Sequence, residues 1–485
     1  MSDAAVRETD VVVIGAGPGG YAAAFAIADR GFKVAVVDAD PEPGGVCLNR
    51  GCIPSKSLLH VARLIGEVRE AKEWGLSFGE PRIDVARLRS WKNEVIGKLN
   101  GGIRQMAKLR QVDLVRAWAR FEDSQTLLLS TERGAAPDRG RLKFKRAVVA
   151  AGSRPAVIPA FDIGSPRIWN STSALELSAV PQTLLIVGGG YIGLEMGTVY
   201  AALGSEVTVV EMTEGLLPGA DRDLVRVLEL RLRKAFKSVY LNTKVSKVTE
   251  AGSGVAVTFE AVGGAKAGPK APPATAEFER VLVSVGRTPN SDGLGLENTK
   301  AKVTGRGFVE VDPQLRTDDA HIWAIGDIAG EPMLAHKAAY EAKVVAEVFA
   351  GHKAAVDAKA IPAVVFTDPE IAWAGLTENQ AKAAGTEVKI AKFPWGASGR
   401  ATANGRNDGV TKVIASPASK QVLGVGIVGS GAGELISEAV VAIEMGATAE
   451  DLALCIHPHP TLSETVMEAA EAVFGSSTHQ APPRR

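Results

Sequence analysis

Cys47 and Cys52 stand five positions apart in the run Gly44-Gly45-Val46-Cys47-Leu48-Asn49-Arg50-Gly51-Cys52-Ile53-Pro54-Ser55-Lys56. Two thiols so placed suit thiol–disulfide exchange, in which a thiolate attacks a disulfide sulfur. Pro54 fits the first turn of a helix, where its missing N–H costs nothing. Cys52 then lies near a helix N-terminus, whose dipole stabilises a thiolate. Cys47 lies further from that helix and is freer to attack an incoming disulfide. The competing readings are a zinc site and an inert disulfide. Zinc usually takes four ligands, and beyond this pair the chain offers only Cys455 and scattered histidines, so no metal is expected. Inert disulfides are rare in cytosolic proteins. Cys455 sits in an apolar stretch and is expected to be a buried free thiol.

Thiol chemistry calls for a base, and His457-Pro458-His459-Pro460-Thr461-Leu462-Ser463-Glu464 offers two imidazoles. Imidazole titrates in the range needed to take a proton from a thiol. A residue before proline is pushed to extended backbone, so both histidines are extended and geometry alone does not choose between them. Glu464 has two readings: a carboxylate orienting an imidazole, and the third residue of a capping box whose N-cap is Thr461.

The elements that must hold these groups carry one signal twice. Val11 to Ile14 is a continuous apolar run, read as a buried parallel strand. It enters Gly15-Ala16-Gly17-Pro18-Gly19-Gly20, a helix from Tyr21 to Ala28, and a second strand from Lys33 to Val37 that ends on Asp38. Gly15, Gly17 and Gly20 fit the dinucleotide fingerprint: tight turn, backbone approach to a pyrophosphate, helix–strand packing. The pattern returns from Leu184 to Val187 with Gly188, Gly190 and Gly193, a helix through Leu203, and a strand from Val207 to Val210 ending on Glu211. Asp38 lies 23 positions after Gly15, and Glu211 lies 23 after Gly188. Each acid is placed to accept from a ribose 2′-OH. No Arg or Lys follows in Met212-Thr213-Glu214-Gly215, which favours NAD over NADP at the second site. The plain alternative is two glycine-rich turns that bind nothing.

A chain of 485 residues exceeds one hydrophobic core, so roughly two to four domains are expected. Lys plus Arg and Asp plus Glu both number 55, leaving no net field to attract nucleic acid or anionic lipid. No uncharged stretch approaches membrane-spanning length, so no membrane insertion is expected. The first ten residues carry Asp3, Glu8 and Asp10 and lack an apolar signal core, which gives the cytoplasm as the expected location.

The cysteine run resembles the redox-active disulfide of the pyridine nucleotide–disulfide oxidoreductases, in the form found in dihydrolipoamide dehydrogenases. The resemblance spans roughly residues 9 to 475. It implies an α/β fold: two Rossmann-like dinucleotide-binding domains plus a C-terminal α+β dimerisation domain. The expected boundaries are 1–152 for the first part of an FAD-binding domain, 153–285 for an NAD-binding domain, 286–352 for a segment returning beside the flavin, 353–475 for dimerisation and 476–485 for a flexible tail. Gly263 to Ala274 reads as a long hairpin loop.

By the same resemblance Lys56 reaches the flavin N5 region and pairs with a carboxylate, which Glu195 matches; the alternative is a helix N-terminal acid favoured by the dipole. Gly152 closes the first flavin segment, with Ala151 where the family has Thr, and Gly286 ends the strand returning from the NAD domain. Asp327 binds the ribityl chain, although Asp is also a favoured N-cap. The backbone at Ala335 lies along the flavin, and His336 receives no proton-transfer role. The family's base precedes Pro-Thr-Leu, which selects His459, with Glu464 orienting it; Pro458 departs from the commoner His-Ala-His-Pro. The implied activity is oxidation of protein-bound dihydrolipoyl groups: Cys47 exchanges with the substrate, His459 accepts a proton, Cys52 faces FAD, and NAD accepts hydride. The implied partners are a second copy sharing the active site, and lipoyl domains of 2-oxoacid dehydrogenase acyltransferases or the glycine-cleavage carrier protein. The alternatives are another flavin disulfide reductase, for glutathione-like or mercuric substrates, and a catalytically idle nucleotide-binding subunit. Glu211 and the lack of a C-terminal cysteine pair argue against the first, and the complete cysteine–His–Glu set argues against the second.

Overall fold

The computed structural model describes residues 6–263 and 272–481. The apolar runs become parallel strands buried on both faces, as continuous Val/Ile/Leu runs do: Val11, Val12 and Val13 are wholly buried, as are Leu184, Leu185 and Ile186. In the first sheet, Asp113–Arg116, Val34–Asp38, Val6–Ile14 and Arg141–Val149 lie side by side in parallel, and Ile322–Ala324 adds to the far edge. Thr126–Ser130 and Trp118–Asp123 continue this sheet as an antiparallel hairpin. The second sheet is all parallel, in the order Ser238–Tyr240, Glu206–Val210, Thr183–Val187, Arg280–Val283, Ile168–Trp169.

Each sheet carries its glycine helix, Pro18–Ala28 on the first and Tyr191–Leu203 on the second. A short antiparallel pair, Ser153–Pro155 with Arg287–Pro289, marks the crossing out to the second sheet and back. Gly254–Ala261 and Thr275–Phe278 pair as a hairpin; most of the loop expected between them, residues 264–271, lies outside the described residues. A third, antiparallel sheet is built from Ala363–Val365, Glu370–Gly375, Val422–Gly429, Val410–Ala415 and Lys389–Pro394. The helices Ala432–Met445 and Glu464–Ala472 cover it. The architecture is the expected α/β class with two Rossmann-like sheets and a C-terminal α+β unit.

A buried charge ties the C-terminal sheet to the head of the helix Arg222–Ala235. Lys412 is 0 % exposed, and its Nζ donates to Asp221 at 2.6 Å and to Asp223 and Glu378 at 2.9 Å. A buried ammonium is tolerated only when paired in this way. The three carboxylates cluster around that ammonium. The segment expected as a flexible tail is described as far as Ala481. Its Ser477 hydroxyl and His479 Nδ1 both bond the buried Glu468, so it folds back on Glu464–Ala472; 482–485 lie outside the described residues. Among the described residues no helix is long and apolar enough to cross a membrane.

Candidate active site

The two glycine loops repeat one construction. A Cβ on Gly20 would sit 1.8 Å from the Gly15 carbonyl oxygen, and one on Gly193 would sit 2.3 Å from that of Gly188. The third glycine of each motif is therefore fixed by helix–turn packing. Gly15 and Gly188 turn at φ +104° and +105°, the left-handed region that glycine enters without strain. The middle glycines differ: a Cβ on Gly17 would meet nothing nearer than 3.9 Å, and one on Gly190 nothing within 4 Å. The open side of each turn therefore faces a space the protein leaves free at a helix N-terminus, where a pyrophosphate is favoured. The acids act alike. Asp38 accepts from the N–H groups of Ala16 (2.5 Å) and Asp40 (2.8 Å), and Glu211 from those of Gly189 (2.6 Å) and Thr213 (2.8 Å). Each carboxylate thus ties the strand end to its own glycine turn. Burial pushes the Asp38 carboxyl up, against the two N–H donors.

A cavity of ≈ 470 Å³ runs from Asp38 and the first glycine turn to the cysteines. The Gly44 N–H bonds the Ala16 carbonyl at 2.7 Å, docking the cysteine run against that turn. Cys47 lies in the short helix Gly45–Arg50, and Cys52 opens the helix Cys52–Glu70. Both thiols are free and line the cavity. The Cys47 S–H donates to Cys52 sulfur, which pushes the Cys47 thiol up and brings Cys52 down to about 7. Burial opposes the Cys52 shift, and the Lys56 ammonium adds to it. Cys52 is therefore the thiolate of the pair, as expected for the residue at the helix N-terminus.

Lys56 and Glu195 come together across 139 residues of sequence. The Lys56 Nζ lies 2.9 and 3.1 Å from the two carboxylate oxygens. Glu195 is 3 % exposed and also accepts from Ser55 Oγ at 2.8 Å and from the Phe366 N–H at 3.1 Å. The Phe366 ring lies 4.4 Å from Lys56 Nζ. Four donor contacts for one buried carboxylate exceed what a helix-dipole acid needs.

In the same cavity, the Ser153 hydroxyl donates to Asp327, while Arg287 donates to the Ser153 hydroxyl and carbonyl, both at 2.7 Å. Asn290 holds the Ala151 carbonyl at 2.9 Å beside Gly152. Ser153 supplies a hydroxyl where Ala151 has none. Ser153 and Arg287 are site residues that sequence reasoning did not single out; the motif Gly286-Arg287-Thr288-Pro289 was the available signal. Gly152, Asp327 and Ala335 line the cavity, Gly286 takes φ +126° at the crossing, and His336 bonds the Pro362 carbonyl.

The structure separates the two histidines. The His457 side chain is 7 % exposed and both nitrogens are engaged, Nδ1 with the Cys455 carbonyl and Nε2 with Glu438. His459 is exposed, and its Nδ1 bonds Glu464 at 2.8 Å, which leaves Nε2 outward. The other Glu464 oxygen accepts from the Thr461 N–H at 2.8 Å. Burial would raise the Glu464 carboxyl, but the Thr461 N–H and the imidazole outweigh it and hold it low. Only the glutamate half of the expected capping box forms: the helix begins at Glu464, and the Thr461 hydroxyl turns to the Pro458 carbonyl. Cys455 is exposed rather than buried. It leaves the end of Ala449–Leu454, a helix that buries only Ala449 and Leu452, together with the exposed Leu454 and Ile456. His459 is absent from the described lining of its own chain's cavity.

The chain matches the family described as pyridine nucleotide-disulphide oxidoreductase over residues 9–342, and that family's dimerisation domain over 361–470. It is 49 % identical to the dihydrolipoyl dehydrogenase of Haemophilus influenzae, covering 97 % of this chain and 96 % of that one. It is 44 % identical to the dihydrolipoyl dehydrogenase of Geobacillus stearothermophilus, with 97 % of both chains covered. Among solved structures, LpdA from Mycobacterium tuberculosis superposes with a TM-score of 0.86 at 27 % identity, over 96 % of this chain and 99 % of that one. The HOCl-induced flavoprotein disulfide reductase RclA from Escherichia coli gives 0.83 at 26 %, over 95 % and 99 %.

Proposed function

The chain belongs to the pyridine nucleotide-disulphide oxidoreductase family, and from that premise we propose that it oxidises protein-bound dihydrolipoyl groups to lipoyl groups, as a dihydrolipoyl dehydrogenase using FAD and NAD. The observation that carries this reading is the asymmetric thiol pair on the cavity wall, with Cys52 held down to about 7 by the Cys47 thiol and by the Lys56 ammonium, which Glu195 pairs. In the oxidised enzyme a substrate thiolate attacks Cys47 sulfur, and Cys52 leaves as the thiolate that its helix N-terminus and Lys56 stabilise. The second substrate thiol then closes the lipoyl ring and releases Cys47 as a thiol. Substrate disulfide forms as enzyme disulfide is reduced, so two electrons move and two protons must be taken up.

His459 Nε2 takes a substrate proton, and Glu464 holds the imidazole by Nδ1. Bound along the cavity, FAD would supply the two-electron relay from the dithiol to nicotinamide. The first glycine turn, Asp38, Gly152, Asp327 and Ala335 would hold it, and Lys56 with Glu195 would face its redox end. Gly188, Gly190, Gly193 and Glu211 would hold NAD, with Gly286 shaping the wall between the two.

The base comes from a second copy. His459 stands apart from the cavity of its own chain, in the region matching the dimerisation domain. Val441, Met445, Leu454 and Ile456 are exposed nearby in sequence, with Ile456 99 % exposed, an apolar surface that asks for a cover. An isologous dimer would cover it and bring each His459 to the other cavity. The substrate-side partners are lipoyl domains of 2-oxoacid dehydrogenase acyltransferases or the glycine-cleavage carrier, and the expected compartment is the cytoplasm.

The test is alkylation after substrate. One equivalent of dihydrolipoamide, added anaerobically to the oxidised enzyme, should create two iodoacetamide-reactive thiols, mapped to Cys47 and Cys52. Equal labelling with glutathione would reject the dihydrolipoyl substrate. Co-expressed Cys47→Ser and His459→Gln chains should regain activity in mixed dimers, because one site then holds both native residues; no recovery would reject the shared site.

A further inference from the structure

Beyond Asp38, the adenosine end of the cavity carries residues that none of the motifs predicts. The Ala117 N–H donates to the Asp38 carbonyl at 2.9 Å, so the chain just past Asp113–Arg116 is bonded to the acid that marks the ribose position. Trp118 follows at once, lines the same cavity and is 41 % exposed. An indole so open on a cofactor cavity has ring surface left for a bound group.

A second element reaches over it. The connection between Thr126–Ser130 and Arg141–Val149 carries Arg133, whose guanidinium carbon lies 5.7 Å from the Trp118 ring centroid, within cation–π range. Arg133 does not hang free. Its Nη2 donates to the Asp292 carboxylate at 2.7 Å and to the Asp292 carbonyl at 2.9 Å, and Arg154 donates to the other carboxylate oxygen at 2.7 Å. Both arginines hold the Asp292 carboxyl low against the burial that would raise it. Arg133, Arg154 and Asp292 all line the cavity. A loop arginine is thus latched to a different part of the chain, along the lining of the same cavity.

We propose that Trp118 and Arg133 form a latched lid over the adenine of the bound flavin dinucleotide, with the indole stacking on the base and Asp292 holding the lid shut. An aromatic face recognises any purine without reading its edge, and such stacking resists exchange of the whole cofactor. The latch is an exposed ion pair, so salt screens it. Flavin loss by this route rises with ionic strength.

This rests on the reading of the first nucleotide site as a flavin site. The experiment measures flavin release from the holoenzyme by recovery of free-flavin fluorescence, for wild type, Trp118→Ala, Trp118→Phe, Arg133→Ala and Asp292→Asn. FMN, which lacks the adenosine half, is bound to stripped protein in parallel. FAD release should quicken about tenfold in Trp118→Ala, the size of one lost stacking contact. Arg133→Ala and Asp292→Asn should quicken it several-fold and lose the wild type's salt dependence, Trp118→Phe should restore most of the retention, and FMN affinity should be the same throughout. FAD release unchanged in both Trp118→Ala and Arg133→Ala overturns the lid, as does equal weakening of FMN and FAD. A wild type that takes up no flavin at all overturns instead the flavin reading of the cavity.

Discussion

The Cys52 thiolate owes its stability first to the Cys47 S–H, and that order of causes can be tested by removing the donor alone. Cys47→Ala deletes the hydrogen bond; Cys47→Ser keeps a hydroxyl that can still donate. A hydrogen bond to a charged group is worth about 1.5–3 kcal/mol, and one pKa unit is about 1.4 kcal/mol. Cys52, held at about 7, should therefore rise by about one to two units in Cys47→Ala and stay near its wild-type value in Cys47→Ser. Cys455 is exposed and would also react, so both variants are made in a Cys455→Ser background. The assay is the iodoacetamide alkylation rate of Cys52, read by mass against pH. Its midpoint marks the thiolate, which is the reactive form. Equal midpoints in the two variants would refute the argument and shift the credit to the helix N-terminus and Lys56.

Lys56→Met should move the Cys52 midpoint up and Glu195→Gln should move it down, because the ammonium lowers it and the carboxylate raises it; shifts of the same sign would contradict this electrostatic reading. Gly193→Ala forces a Cβ to 2.3 Å from the Gly188 oxygen and 2.7 Å from Ser284 Oγ, which should cost about 3 kcal/mol or more in a denaturant melt. Gly190→Ala meets nothing within 4 Å, so it should melt like wild type while KM for NAD rises about tenfold as the methyl blocks the pyrophosphate approach. His459→Gln should lower kcat about 100- to 10,000-fold without changing the melt, whereas His457→Gln, losing the bond to Glu438, should cost about 1–3 kcal/mol of stability. Glu464→Ala should lower kcat without changing KM for NAD, because His459 Nδ1 loses the partner that orients it; an unchanged kcat would leave Glu464 as a helix-end residue only.

The parts of the site that were legible in the sequence are those whose chemistry is local. Two strand–glycine–helix–acid units at equal spacing name a nucleotide site each, because a turn, a helix start and a strand end are fixed within one short stretch. The cysteine run and Pro54 predict which thiol opens the long helix, Cys52 at the head of Cys52–Glu70. What the sequence withheld depends on distant contacts. Lys56 meets Glu195 across 139 residues, and only resemblance joined them. Ser153, Arg287 and Asp327 form one network from three segments, and Trp118 meets Arg133 through a loop with no motif. The histidine choice was undecidable locally because the partner that engages His457, Glu438, lies on another helix, while His459 pairs with Glu464 close by. Cys455 was misread because a six-residue helix too short to bury its end carries it. Glu468, a buried acid on the helix Glu464–Ala472, gives Ser477 and His479 a partner that composition does not reveal.

The central claim is a dihydrolipoyl group oxidised through Cys47 and Cys52 with NAD as acceptor. The most direct measurement is NADH formation from dihydrolipoamide by the purified holoenzyme, with NADP alongside and Cys47→Ser as control. The account predicts rapid NADH formation that is weak with NADP and absent in the variant. A yellow, folded protein that forms no NADH from dihydrolipoamide, or forms it equally in Cys47→Ser, would contradict it.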